Sequence, residues 1–226
     1  MKKTLLSKGW TLHAPHFHGQ VDLPNDYAVT APRDPHAPGG GDNGYFVCGN
    51  GHYHKDMELD ADPNRHYILD VDGAYMNTEV KLNDYILIKH PHGYTPMLVD
   101  LTDHVRAGEK NHLEITTRAL HPSSRWYTGA GIYRDLFLWE GGDIRIEPWD
   151  KHLATPTLAT VKAVYEISAD RDAEITLRAA VLDGETEVTF AEQTLTVTAG
   201  NKTKAEYEIN LPNAKLWDTE DPHLYT

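Results

Sequence analysis

Apolar and polar residues alternate with period two along most of the chain, and this spacing predicts strands almost throughout. The second half is the clearer. Val161, Ala163, Tyr165 and Ile167 share one face of a strand, and Ile175, Leu177, Ala179 and Val181 share one face of the next. Asp183-Gly184 is a tight-turn signal between strands. Leu195 and Val197, then Ala205, Tyr207, Ile209 and Leu211, continue the alternation. Turns spaced in this way suggest an immunoglobulin-like β-sandwich. About four or five strands can be counted where such a sandwich wants about seven. The closing "LWDTEDPHLYT" reads as the opening of another strand, so a truncated second domain is expected.

The first half is more irregular. "HYILDVDGAYMNTEVKLNDYILIKH" predicts two or three strands with turns at Asp72-Gly73 and Asn83-Asp84, and "NHLEITTRA" predicts another. Long polar connections such as "TAPRDPHAPGGGDNG" suit a jelly-roll-like sandwich. "EPWDKHLATPT" lacks periodicity and reads as the boundary. The expected organisation is therefore all-β, with a jelly-roll-like domain over 1–149 and an immunoglobulin-like domain over 150–226. Gly131–Trp139, "GIYRDLFLW", reads as a strand apolar on both faces, yet it carries Arg134 and Asp135 at its centre. Burying a charge costs several kcal/mol unless it is paired.

Composition narrows the chemistry. A net charge of −13 over 226 residues argues against a nucleic-acid binder and against an anionic membrane surface. No apolar run approaches a membrane span, and "MKKTLLSKGW" is too polar for a secretory leader. With one cysteine the chain has no internal disulfide framework, and a cytoplasmic location is expected. Fourteen histidines, concentrated in "HAPHFHG", "GHYHKD" and "KHPHG", invite a metal reading. An HxH pair on a strand turns both rings to one side, but no third-ligand motif accompanies it, so no metal site is assigned. The glycine runs fit neither dinucleotide nor P-loop patterns. Paired carboxylates could act on a sugar, but among 34 acidic residues spacing alone selects no pair.

"SRWYTGAGIYRDLFLW" breaks the tie. It resembles the N-terminal-domain motif of glycoside hydrolase family 2, in the version carried by β-galactosidases. Four further stretches fall in the family's order: "VDLPNDY", "LDVDGAYMNTEVKLND", "HGYTPMLVDLTDHVRAGEKNHLEI" and "LWDTEDPHLYT". Two departures stand out. Asn25 and Tyr27 replace the usual His and Trp, and Asp84 replaces the glycine after Asn83.

This resemblance implies a sugar-binding-type jelly roll, an immunoglobulin-like domain, and a TIM barrel carrying both catalytic glutamates. The chain is then a non-catalytic, inactive N-terminal piece of a retaining β-galactosidase-type hydrolase. It would scaffold the absent barrel and contribute to a pocket for a β-galactoside. The alternatives are an autonomous carbohydrate-binding module and a purely structural, oligomer-contact domain pair. The resemblance also implies that Asp135 touches the sugar, and in some members a sodium ion, while Asn83 lines the same pocket. Asp135 pairing only with a basic group, and Asn83 serving only the turn, remain open. Trp126 and Tyr127 could stack on a sugar or pack on the barrel, and Arg134 reads as a bridge to the barrel or to a nearby carboxylate. No cofactor is expected in the chain itself, sodium or magnesium is possible in the parent, and a homo-oligomer is expected.

Overall fold

The computed structural model describes residues 1–60, 62–120 and 129–226. It divides into two compact units, Lys2–Glu140 and Gly141–Thr226, the second also including Met1.

The first unit is a sandwich of two sheets. Its strands are β1 (Lys2–Leu5), β2 (Trp10–Ala14), β3 (Phe17–Val21), β4 (Asn50–Glu58), β5 (His66–Val71), β6 (Thr78–Leu82), β7 (Tyr85–His90), β8 (Met97–Asp100), β9 (Lys110–Arg118) and β10 (Leu136–Gly141). One sheet runs β1-β10-β5-β8 and the other β3-β2-β4-β9-β6-β7. The inward residues of both sheets make one core: Leu69, Val71 and Leu136 from the first, and Trp10, Leu12, Tyr53, Val80, Leu113 and Ile115 from the second. Burying each such side chain is worth about 1.5–3 kcal/mol, which is why alternation predicts these strands. A short α-helix, α1 (Tyr27–Thr30), is capped by the Asp26 carboxylate, which accepts from the Ala28 and Val29 amides.

In the second unit the strands are β11 (Ile144–Arg145), β12 (Lys151–Thr157), β13 (Thr160–Ala169), β14 (Ala173–Asp183), β15 (Thr186–Val197) and β16 (Lys202–Asn210). β13 is central, pairing with β11, β12 and β16, and β14 pairs with β15. Ala163 and Ile167 of β13, Val181, Val197, Tyr207 and Ile209 meet in its core. Tyr207 ties the layers by donating its hydroxyl to the Leu177 carbonyl at 2.7 Å.

Two expectations are corrected here. "EPWDKHLATPT" contains a strand, β12, every residue of which is exposed. With neither face buried, nothing enforces alternation, and Pro156 sits where the pairing with β13 shifts register. The units also part after Glu140, upstream of residue 149, because Ile144 and Arg145 pair with Ala169 and Ser168 of β13. Among the described residues, no helix is long and apolar enough to cross a membrane.

The partly buried Cys48 gives a check on the first unit. Burial, with a smaller contribution from the Asp26 charge, pushes its thiol up to about 11. The thiolate is the reactive form. Iodoacetamide at pH 8 should therefore alkylate the folded chain about 100-fold more slowly than a free thiol, with denaturant restoring the rate. Equal rates in the folded and denatured chain would contradict this packing.

Candidate functional site

The segment Ala130–Asp135 is where the first unit gathers its family-like motifs. It is not a strand. β10 starts at Leu136, and the preceding residues form an irregular run with only an isolated bridge between Gly131 and Tyr75. Its backbone groups bond elsewhere. The Asn25 amide donates to the Ile132 carbonyl at 2.7 Å, and Tyr27 to Ala130 at 3.0 Å. The Ala130 amide donates to the Asp26 carboxylate at 3.1 Å, so one side chain caps α1 and holds this segment too. "VDLPNDY" and "AGIYRD", more than a hundred residues apart, are thus clipped together.

Gly131 allows this approach. Its φ is +132°, and an added Cβ would lie 2.5 Å from both the Asn25 carbonyl oxygen and the Tyr53 hydroxyl. That hydroxyl is itself fixed, donating to Asn25 Oδ1 at 2.8 Å.

On its other side the segment meets the turn after β5. The Arg134 amide donates to the Gly73 carbonyl at 3.3 Å, and the Asp72 amide to the Asp135 carbonyl at 3.1 Å. Tyr133 is half-buried and donates its hydroxyl to the Gly93 carbonyl at 2.8 Å, which ties down the loop of residues 91–96 between β7 and β8. Burial raises the Tyr133 phenol above its ordinary range. Tyr94 and Tyr75 meet edge to face in the same region, with ring centroids 5.6 Å apart. Composition alone did not single out Tyr133, Gly93 or Tyr94, although they lie within the quoted family-like stretches.

Arg134 and Asp135 are both exposed. Among the described residues neither forms an ion pair, and the Arg134 guanidinium lies 5.5 Å from the Tyr133 ring centroid. The puzzle of two charges in an apolar strand resolves. They precede the strand, with their backbone held and their side chains in solvent. The inward alternation begins after them, with Leu136 and Leu138 buried. Trp139 donates its indole N–H to Asp70, and Lys3 lies over the rings of Phe137 and Trp139.

Asn83 is placed at the opposite end of the six-stranded sheet. It occupies the turn between β6 and β7 with φ +53°, the left-handed region that Asn tolerates. Its side chain turns inward and is 7 % exposed. Nδ2 donates to the His104 carbonyl at 2.9 Å and to Asn111 Oδ1 at 3.2 Å, while Oδ1 accepts from the His112 amide at 3.0 Å. The length of β6, roughly 17 Å, separates this turn from the Asp72–Ala74 region that holds Asp135. The structure therefore does not bring Asn83 and Asp135 together. Trp126 and Tyr127 lie outside the described residues. Among the described residues no group of three or more His, Cys, Asp or Glu side chains is placed to hold a metal ion.

Comparison with known proteins supplies the family. The model for glycosyl hydrolases family 2 matches residues 143–226, beginning just inside the second unit. β-Galactosidase BoGH2A of Bacteroides ovatus is 31 % identical over 215 residues, covering 91 % of this chain and 25 % of that protein. The chain belongs to glycosyl hydrolase family 2. A family 2 crystal structure from Bacteroides cellulosilyticus superimposes with a TM-score of 0.87 at 25 % identity, over 100 % of this chain and 33 % of the other. A Bacteroides uniformis β-glucuronidase shares the fold, with a TM-score of 0.79 at 17 % identity over 99 % of this chain and 29 % of the other. The family 2 chain described here thus spans about a quarter of the length of the B. ovatus relative.

Proposed function

We propose that this chain is the non-catalytic N-terminal part of a retaining β-galactosidase-type hydrolase, and that Asp135 completes the sugar pocket of the whole protein. The observation that carries this reading is the exposed Asp135 carboxylate on a backbone clamped from both sides. Hydrogen bonds to Asn25, Tyr27, Asp72 and Gly73 fix the segment, so its side chain is presented with little ordering cost. Both catalytic glutamates would belong to a barrel outside this chain.

Charge favours a neutral galactoside over a glucuronide, the substrate class in the name of another relative. A carboxylate accepts sugar hydroxyls as charge-assisted hydrogen bonds. It would repel the carboxylate of a uronic acid, and like-charge juxtaposition costs several kcal/mol. Asp135 would offer a cation one oxygen-rich ligand, so sodium there would need further donors from the rest of the protein.

The test is Asp135→Ala in the full-length enzyme. Removing hydrogen bonds to a charged group costs about 1.5–3 kcal/mol each, so kcat/KM for an aryl β-galactoside should fall by about 100-fold with the melting temperature unchanged. An unaltered rate would sink the pocket role and leave a scaffold only.

A further inference from the structure

Four imidazoles cross the outer face of the six-stranded sheet in one diagonal row. His18 stands on β3, His13 on β2, His54 on β4 and His112 on β9, strands that are neighbours in this order. Each ring lies against the next. The centroids of His18 and His13 are 3.9 Å apart, edge to face, and those of His13 and His54 are 5.5 Å apart. His54 and His112 are stacked, also at 5.5 Å. The register makes the crowding direct, because His13 is the Cα partner of His18 on one side and of His52 on the other.

We propose that this row is an acid-sensitive latch on the β2–β3 hairpin. With the rings neutral, the hairpin closes on β4. Imidazole takes up protons between about pH 5 and 8, and like charges directly opposite across strands are destabilising. Protonation therefore pushes β3 from β2 and β2 from β4. The β2–β4 ladder is short, pairing Thr11 with His54, Leu12 with Tyr53 and His13 with His52, so two of its pairs carry the repelling rings. β3 is the edge of the sheet. Trp10 and Leu12 keep the inner face of β2 in the core, so the opening is local rather than an unfolding of the unit.

The other charges on this face do not cancel the effect. Burial holds the His54 imidazole below its ordinary value, the Glu114 carboxylate pulls the other way, and His112, His13 and His52 lower it further. Glu114 is shared, lying 4.0 Å from Lys81 Nζ and 3.7 Å from His52 Nδ1. Asp56 lies 2.7 Å from His112 Nδ1, and Lys110 Nζ offsets it at 3.2 Å. Because the folded value of His54 lies below the unfolded one, the stability of the neutral ring is complete above about pH 6.5. It is lost as the pH falls from there through the folded value.

The latch has a direct route to the Asp135 segment. β3 ends at Val21, and the chain runs on to Asn25 and Tyr27, whose amides hold the carbonyls of Ile132 and Ala130. The latch itself does not depend on the sugar-pocket reading of Asp135.

Hydrogen exchange of the full-length protein, followed by mass spectrometry at pH 7.5 and 5.5 and corrected for the chemical exchange rate, tests this. Carboxylates stay ionised across that window, so histidine is the side chain that changes charge. Each like-charged pair at this spacing weakens the closed state several-fold even in water. Protection of residues 10–21 should therefore fall at least about ten-fold at pH 5.5, with β13 unchanged. His13→Gln breaks the row at its centre and should reduce the fall to less than about three-fold. His18→Gln, on the exposed edge strand, gives the same readout should His13→Gln fail to fold. His152→Gln in the second unit should leave the full ten-fold fall. Equal protection of the wild-type hairpin at both pH values, or an undiminished fall in the row variants, overturns the proposal.

Discussion

Gly131→Ala should destabilise the first unit by about 3–5 kcal/mol, the sum of a strained positive φ and a steric overlap. The added methyl would sit 2.5 Å from the Asn25 carbonyl oxygen and 2.5 Å from the Tyr53 hydroxyl. The first is backbone and cannot step aside without breaking the Asn25–Ile132 hydrogen bond. The second belongs to a fully buried ring held by Asn25. Relief would have to come from moving the whole segment, and with it Tyr133, Asp135 and the hold on the loop of residues 91–96. Thermal melting should show a fall of about 10 °C or more. Gly41→Ala is the control. Its new Cβ would meet only the Tyr45 ring end at 3.5 Å, an ordinary contact, and should change stability by less than about 0.5 kcal/mol. A Gly131→Ala protein melting with the wild type would refute the close packing of these two stretches.

The second large effect is expected at Asn111, which is 0 % exposed and whose side chain makes four hydrogen bonds. Oδ1 accepts from the Arg106 amide at 2.8 Å and from Asn83 Nδ2 at 3.2 Å. Nδ2 donates to the carbonyls of Arg106 and Glu109, each at 3.0 Å. Leucine keeps the volume and loses every one of these bonds. Each buried partner left unsatisfied costs about 1–3 kcal/mol, though those near the exposed loop can rehydrate. Asn111→Leu should therefore cost about 3–5 kcal/mol, read from denaturant unfolding of the full chain. A loss under about 1 kcal/mol would mean the network contributes little. The network also explains Asn83. Its amide completes a loop-bracing set with Asn111 and His104, a structural task at the far end of the sheet from Asp135.

Much of the framework was readable beforehand. The alternation in β13, β14 and β16 identified strands because each buries one face, and a residue's face follows from its parity along the strand. Asn83-Asp84 was legible as a turn because a left-handed position favours Asn. The strand β12 was not legible, since with both faces exposed it has no pattern to show. Residues 131–135 have the pattern of a strand but are not one, because their apolar character answers a different demand. Ala130 and Ile132 are buried in the first unit's core, while their carbonyls accept from the Tyr27 and Asn25 amides rather than from a ladder partner.

The candidate sites divide in the same way. Sequence by itself determined that Asp135 and the histidine pairs exist, with His52 and His54 on one face of their strand. Only the tertiary structure decided that Asp135 stands before its strand in solvent and that Asn83 lies a strand's length away. It also decided that His13 pairs with both His18 and His52. Alternation is a local property of one strand, whereas register belongs to pairs of strands and is settled by the packing of the whole sandwich.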